Sequence, residues 1–140
     1  MPKANAESGF ELQTCVFNPA LLKLKLADWD RINLANLSIS ILEKIKLLHD
    51  NDIIIGDINP FNILIKDDKT VYFVDVDSYQ VDNYPCPVGT VHFTAPEIQN
   101  VDSFNKLIRT KEHEYFAVAT LLFMIFHAGK TPFSFQGGGN

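Results

Sequence analysis

The chain has 140 residues, 46% of them apolar and 21% charged, enough to bury a core and unlike the composition of a disordered chain. Lysine plus arginine number 12 against 17 aspartate plus glutamate, a formal charge of −5, which excludes an electrostatic footprint for nonspecific nucleic-acid or anionic-membrane binding. Two cysteines, Cys15 and Cys86, are too few for a disulfide framework and lack metal-ligand spacing, so reduced thiols in a cytoplasmic protein are expected.

In chain order, residues 1–27 read as irregular, with no signal-peptide layout at the start. Asp28 is placed to cap a helix running to about Leu48. Its apolar positions Leu34, Leu37, Ile41, Ile45 and Leu48 recur at spacings of three and four and so share one face. His49 then suits the negative end of that helix, and Trp29 reads as a packing anchor. Ile53-Ile54-Ile55 is a short β-branched strand. A loop follows from Gly56 to Phe61, with Pro60 barring a strand there. Ile63–Ile65 and Val71–Val74 flank a charged turn and read as a hairpin. Residues 76–110 carry Pro85, Pro87 and Pro96 and read as mostly irregular. Thr110 is placed to cap a last helix over about Glu112–His127, ended by Gly129. The run Tyr115 to Phe126 is well short of the ~20 residues that span a bilayer and reads as a helix buried on all sides.

The hairpin also carries a register expectation. If residue 66 faces 71, paired numbers sum to 137, and Asn62 then faces Asp75. With Asp57 in the preceding loop, three oxygen-bearing side chains meet at one end of a small sheet. Hard oxygen donors of this kind suit Mg²⁺, which takes one or two protein carboxylates and keeps water and phosphate oxygens. Asp77 is a further candidate ligand. The pair Asp75/Asp77 also fits the D-x-D of aspartyl-phosphate hydrolases, in which the first aspartate is the nucleophile. No two of the four histidines stand at ligand spacing.

Asp57-Ile58-Asn59-Pro60-Phe61-Asn62 resembles the D-x-x-x-x-N catalytic loop of protein kinases. Asp75-Val76-Asp77 stands in the place of D-F-G, and Ala95-Pro96-Glu97 in that of A-P-E, with Gly89-Thr90 before it. Glu114 through Gly129-Lys130-Thr131-Pro132-Phe133 resembles the buried helix and the G-x-x-P-F that follow. The phrasing G-D-I-N-x-x-N with V-D-x-D-S-Y-Q is similar to a bacterial branch of kinase-like proteins, some linked to helix-hairpin-helix domains.

The resemblance implies an α+β, mostly helical C-terminal lobe with a small β-hairpin. It implies a hinge region over 1–27, a lobe core over 28–135 and a truncated tail over 136–140. It further implies ATP- and Mg²⁺-dependent phosphoryl transfer to a serine or threonine hydroxyl of a protein substrate. Asp57 would orient that hydroxyl and accept its proton. Asn62 and Asp75 would hold Mg²⁺ on the ATP phosphates, with Asp77 beside them. Leu64 would lie under adenine, Thr90 would pack on the catalytic loop, and Glu97 and Glu114 would be structural.

The departures are specific. Ile55-Gly56 replaces H-R before the catalytic aspartate. Asn59 replaces the lysine two residues after it, within the catalytic set. Asp77 replaces the D-F-G glycine, and Glu114 replaces an aspartate. No glycine-rich loop or phosphate-gripping lysine of the N-terminal lobe occurs, so the isolated chain is expected to bind nucleotide weakly and turn over little. Asn59 and Asp77 also keep open a pseudokinase that binds a nucleotide or a regulatory partner. A small-molecule kinase is a further alternative, opposed by the segment Gly89–Glu97.

Overall fold

The computed structural model describes residues 10–134, so positions 1–9 of the expected hinge and the tail lie outside it. Strand β1 (Phe10–Glu11) leads into two short helices, α1 (Leu12–Cys15) and α2 (Pro19–Lys25). This corrects the irregular reading of the first 27 residues. A four-residue helix has no stability of its own. Burial decides the matter: Leu12 and Cys15 are fully enclosed and Val16 nearly so, and each large apolar side chain so buried contributes about 1.5–3 kcal/mol. α2 starts on proline, and the Asn18 side chain accepts the Ala20 and Leu21 amides at 3.0 and 3.2 Å.

The long helix α3 spans Arg31–Asp50, two residues later than expected at each end. Asp30 is its cap, accepting the Ile32 and Asn33 amides at 2.7 and 3.3 Å, while the Asn33 side chain accepts the Asp30 amide at 2.9 Å. The expected apolar face is the buried one. Leu37, Ile41 and Ile45 are in the core, with Leu34, Leu48 and Trp29 packed against it.

Strand β2 (Ile53–Ile54) pairs with β5 (Gln80–Val81), and β3 (Ile63–Asp67) pairs with both β1 and β4 (Thr70–Phe73), all antiparallel. The hairpin forms, but its register differs from the expected one. Asp67 faces Thr70 as a sum of 137 requires, whereas Ile63 faces Phe73, Leu64 faces Tyr72 and Ile65 faces Val71. A bulge at Lys66 absorbs one residue. The shift puts Ile63, Ile65 and Val71 on the core side, all at most 1% exposed. The alternative register would turn one strand's apolar set outward.

Residues 82–110 form single 3-10 turns and irregular backbone, as the prolines require. Helix α4 spans Lys111–Phe126 after Thr110, and Gly129 follows at φ 80°. A side chain at Gly129 would meet the Phe17 ring edge and Cβ, down to 2.7 Å, so this turn needs glycine twice over. The expectation that α4 is buried on every side fails on one face. Ala117, Val118, Leu121, Met124 and Ile125 are buried, but Tyr115, Phe123 and Phe126 are exposed.

Candidate functional site

The segment after β2 turns sharply at Gly56, which has φ 78°. Its amide donates to Glu114 Oε1 at 2.7 Å, and Glu114 Oε2 pairs with His49 Nε2 at 2.5 Å. Glu114 is 3% and His49 5% exposed. This buried carboxylate joins the end of α3, the start of α4 and the residue before Asp57. The sequence offered Glu114 only as a structural residue, and nothing in the spacing paired it with His49, 65 positions away.

Asp57 is half-buried, and both of its carboxylate oxygens are held. Thr90 Oγ1 donates to Oδ1 at 2.8 Å and Asn59 Nδ2 to Oδ2 at 3.1 Å. Asn59 is buried. Its Nδ2 also reaches the Asp57 carbonyl at 3.2 Å and Thr90 Oγ1 at 3.5 Å, and its Oδ1 accepts the Phe61 amide at 2.9 Å. A carboxylate oriented this way presents its remaining lone pairs in fixed directions and can take a proton from a hydroxyl placed there.

Asn62 donates its Nδ2 to the Asp57 carbonyl at 3.2 Å, and its amide oxygen accepts no hydrogen bond from the described residues. Its backbone carbonyl accepts the Val74 amide at 3.0 Å. With the bulged register, Asn62 therefore stands beside Val74, one residue before the expected partner. Asp75 then leaves the strand in a left-handed conformation, φ 59° and ψ 45°, with its side chain exposed. Aspartate adopts that region more readily than most residues, and Asp52 and Asp82 do so here as well.

Asp77 is also exposed, and no cluster of three or more His, Cys, Asp or Glu with metal-binding geometry occurs among the described residues. Of the expected ligands, Asn62 and Asp75 are the two that flank the end of the hairpin, and an amide oxygen and a carboxylate are the donor types that could hold a hydrated Mg²⁺ carried by phosphates. Leu64 is half-buried on the face of β3 opposite Ile63 and Ile65, away from the core. Glu97 is exposed and makes no ion pair or side-chain hydrogen bond among the described residues.

One neighbour escaped the sequence reading. Tyr79 lines a hollow with Asp57, Asn59, Asn62 and Phe73. Its hydroxyl is buried with no partner among the described residues. Burial first, and then the charges of Glu114 and Asp75, push its pKa up, so it keeps its proton.

A loop aspartate held by a threonine, with an asparagine five residues on and a second aspartate after a hairpin, is the arrangement expected of a protein-kinase-like domain. The family model described as the RIO domain matches residues 17–115, and the chain belongs to that family. It is 31% identical to Protein kinase YegI of Escherichia coli (strain K12), over 96% of this chain and 21% of that protein. A protein of Acanthamoeba polyphaga mimivirus, provisionally named as a serine/threonine-protein kinase, is 44% identical over 43% of this chain and 23% of its own length. The chain thus spans about a fifth of the length of these relatives. No helix among the described residues is long and apolar enough to cross a membrane.

Proposed function

We propose that this chain is the C-terminal lobe of a protein serine/threonine kinase that transfers phosphate from Mg²⁺-ATP to a protein hydroxyl. The observation that carries the reading is the doubly held Asp57 carboxylate, fixed by Thr90 and Asn59. A general base must be aimed before it is useful, and phosphoryl transfer is mostly positioning and charge stabilisation. Asp57 accepts the substrate proton. Asn62 and Asp75 hold Mg²⁺, which supplies charge neutralisation on the phosphates. Leu64 lies under the adenine, and the protein acts in the cytoplasm.

The test is Asp57→Asn in the natural protein that carries this chain. Phosphate transfer should fall by about two orders of magnitude or more, while Mg²⁺-ATP binding by calorimetry stays intact. Equal transfer by the variant overturns the role.

A second reading is favoured by one observation. The Asn59 amide stands where kinases carry a lysine, and its hydrogens are spent on Asp57 and Thr90. With that charge missing beside the transferred phosphate, the protein would serve as a nucleotide- or partner-binding regulator. Asp57→Asn would then leave its biological effect unchanged.

A further inference from the structure

Arg109 is 4% exposed and forms no ion pair among the described residues. A buried cation without a counter-ion is expensive unless dipoles replace the water it lost. Here carbonyl oxygens do so. Arg109 Nη1 donates to the Cys86 carbonyl at 2.9 Å and Nη2 to the Val88 carbonyl at 2.6 Å, and the guanidinium lies 4.6 Å over the Phe104 ring. Its backbone is clamped as well. The Gln80 side chain accepts the Arg109 amide at 2.7 Å and donates to the Arg109 carbonyl at 2.8 Å. Gln80 belongs to β5, which pairs with β2 just ahead of Asp57.

The guanidinium also fills the space over two glycines. A methyl group on Gly56 would lie 2.8 Å from Nη1, and one on Gly89 would lie 2.9 Å from Nη2. So one side chain touches the residue before Asp57 and the residue before Thr90.

We propose that Arg109 is a positioning residue, holding the irregular segment Cys86–Gly89 so that Thr90 reaches the Asp57 carboxylate. The segment supplies the arginine's counter-dipoles, so neither leaves without stranding the other. The catalytic part of this inference rests on the kinase reading above.

The first test is hydrogen exchange on the 140-residue chain. In Arg109→Gln, the amides of Phe93 and Thr94, which bond to the Thr90 and Val91 carbonyls, should exchange at least about tenfold faster, with α3 unchanged. No change at those amides overturns the proposal, and so does equal acceleration throughout α3. If Arg109→Gln fails to fold, Gly89→Ala keeps the arginine and displaces its tip from Val88. It should give the same local signature, and its absence overturns the proposal.

The second test is transfer by the natural protein. Arg109→Gln should lower kcat about tenfold with the ATP KM unchanged, and should add almost nothing in a Thr90→Val background. Additive losses overturn the link through Thr90. Arg109→Lys, with one charge but no fork, should not rescue, and full rescue overturns the two-carbonyl geometry. If the unmodified protein transfers no phosphate, the kinase reading fails while the exchange result still decides the positioning claim.

Discussion

Tyr79 carries the sharpest prediction at the scale of single residues. A buried hydroxyl without a partner costs roughly 1–3 kcal/mol of desolvation, and phenylalanine removes that cost while keeping the ring. Tyr79→Phe should therefore leave the stability of the isolated chain unchanged or raise it, read from the urea midpoint. A clear loss would mean that the hydroxyl has a partner after all. At this scale the sequence was most legible where side-chain chemistry is local. Asp57, Asn59 and Asn62 lie within six residues, and the turn at Pro60 brings them together. Tyr79 and Arg109 were not legible, because their importance comes from what surrounds them. A tyrosine reads as core and an arginine as solvated surface until burial is known.

At the scale of elements, boundaries moved where capping chemistry outranked the apolar pattern. Asp28 and Asp30 are both acceptable caps by type, but only Asp30 is followed by Asn33, which closes the reciprocal box. Asp30→Ala should cost about 0.5–2 kcal/mol of stability in a denaturant titration. The hairpin shows the other limit. Alternation placed both strands, yet one bulged residue at Lys66 moved Asn62 from Asp75 to Val74. Bulges leave little mark on composition. Glu114 is the strongest joint between elements. Glu114→Ala removes the acceptor for His49 and for the Gly56 amide in a buried setting. It should cost about 3–5 kcal/mol, and Glu114→Gln, which keeps an acceptor oxygen, should cost less in the same titration.

The whole molecule responds to pH on the alkaline side. Burial pushes the Cys15 thiol up from 9.0 to about 11, partly offset by Lys25, and Tyr79 shifts upward as well. Both groups hold protons in the folded chain that the unfolded chain gives up. The Cys15 contribution is complete below about pH 9 and is lost as pH rises toward 11, whereas that of Tyr79 starts to fall only above about pH 10 and goes on falling beyond 11. For Cys15 alone the loss amounts to about 2–3 kcal/mol at most. Urea midpoints should fall between about pH 7 and about pH 10.5, and less so in Cys15→Ala. The exposed aromatic face of α4 is the second whole-molecule feature. Tyr115, Phe123 and Phe126 lie along one side of an otherwise buried helix, so the isolated chain should self-associate in sedimentation. Phe126→Lys should weaken that association. A concentration-independent monomer would count against it.

The bracket between Gln80 and Arg109 has a consequence for how such domains diversify. It closes the base of everything from Val81 to Ile108, so that stretch is a cassette whose two ends already meet. Changing the length of a closed loop carries a small logarithmic penalty, about 0.6 kcal/mol per doubling. Changes in length are therefore cheapest at its exposed tips, Asp82-Asn83 and Asp102-Ser103, whereas buried Phe93, Ala95 and Ile98 and the Phe104 ring against Arg109 tie the rest of the cassette to the frame beneath. Those tips can vary while the contacts among Asp57, Asn59 and Thr90 stay in place.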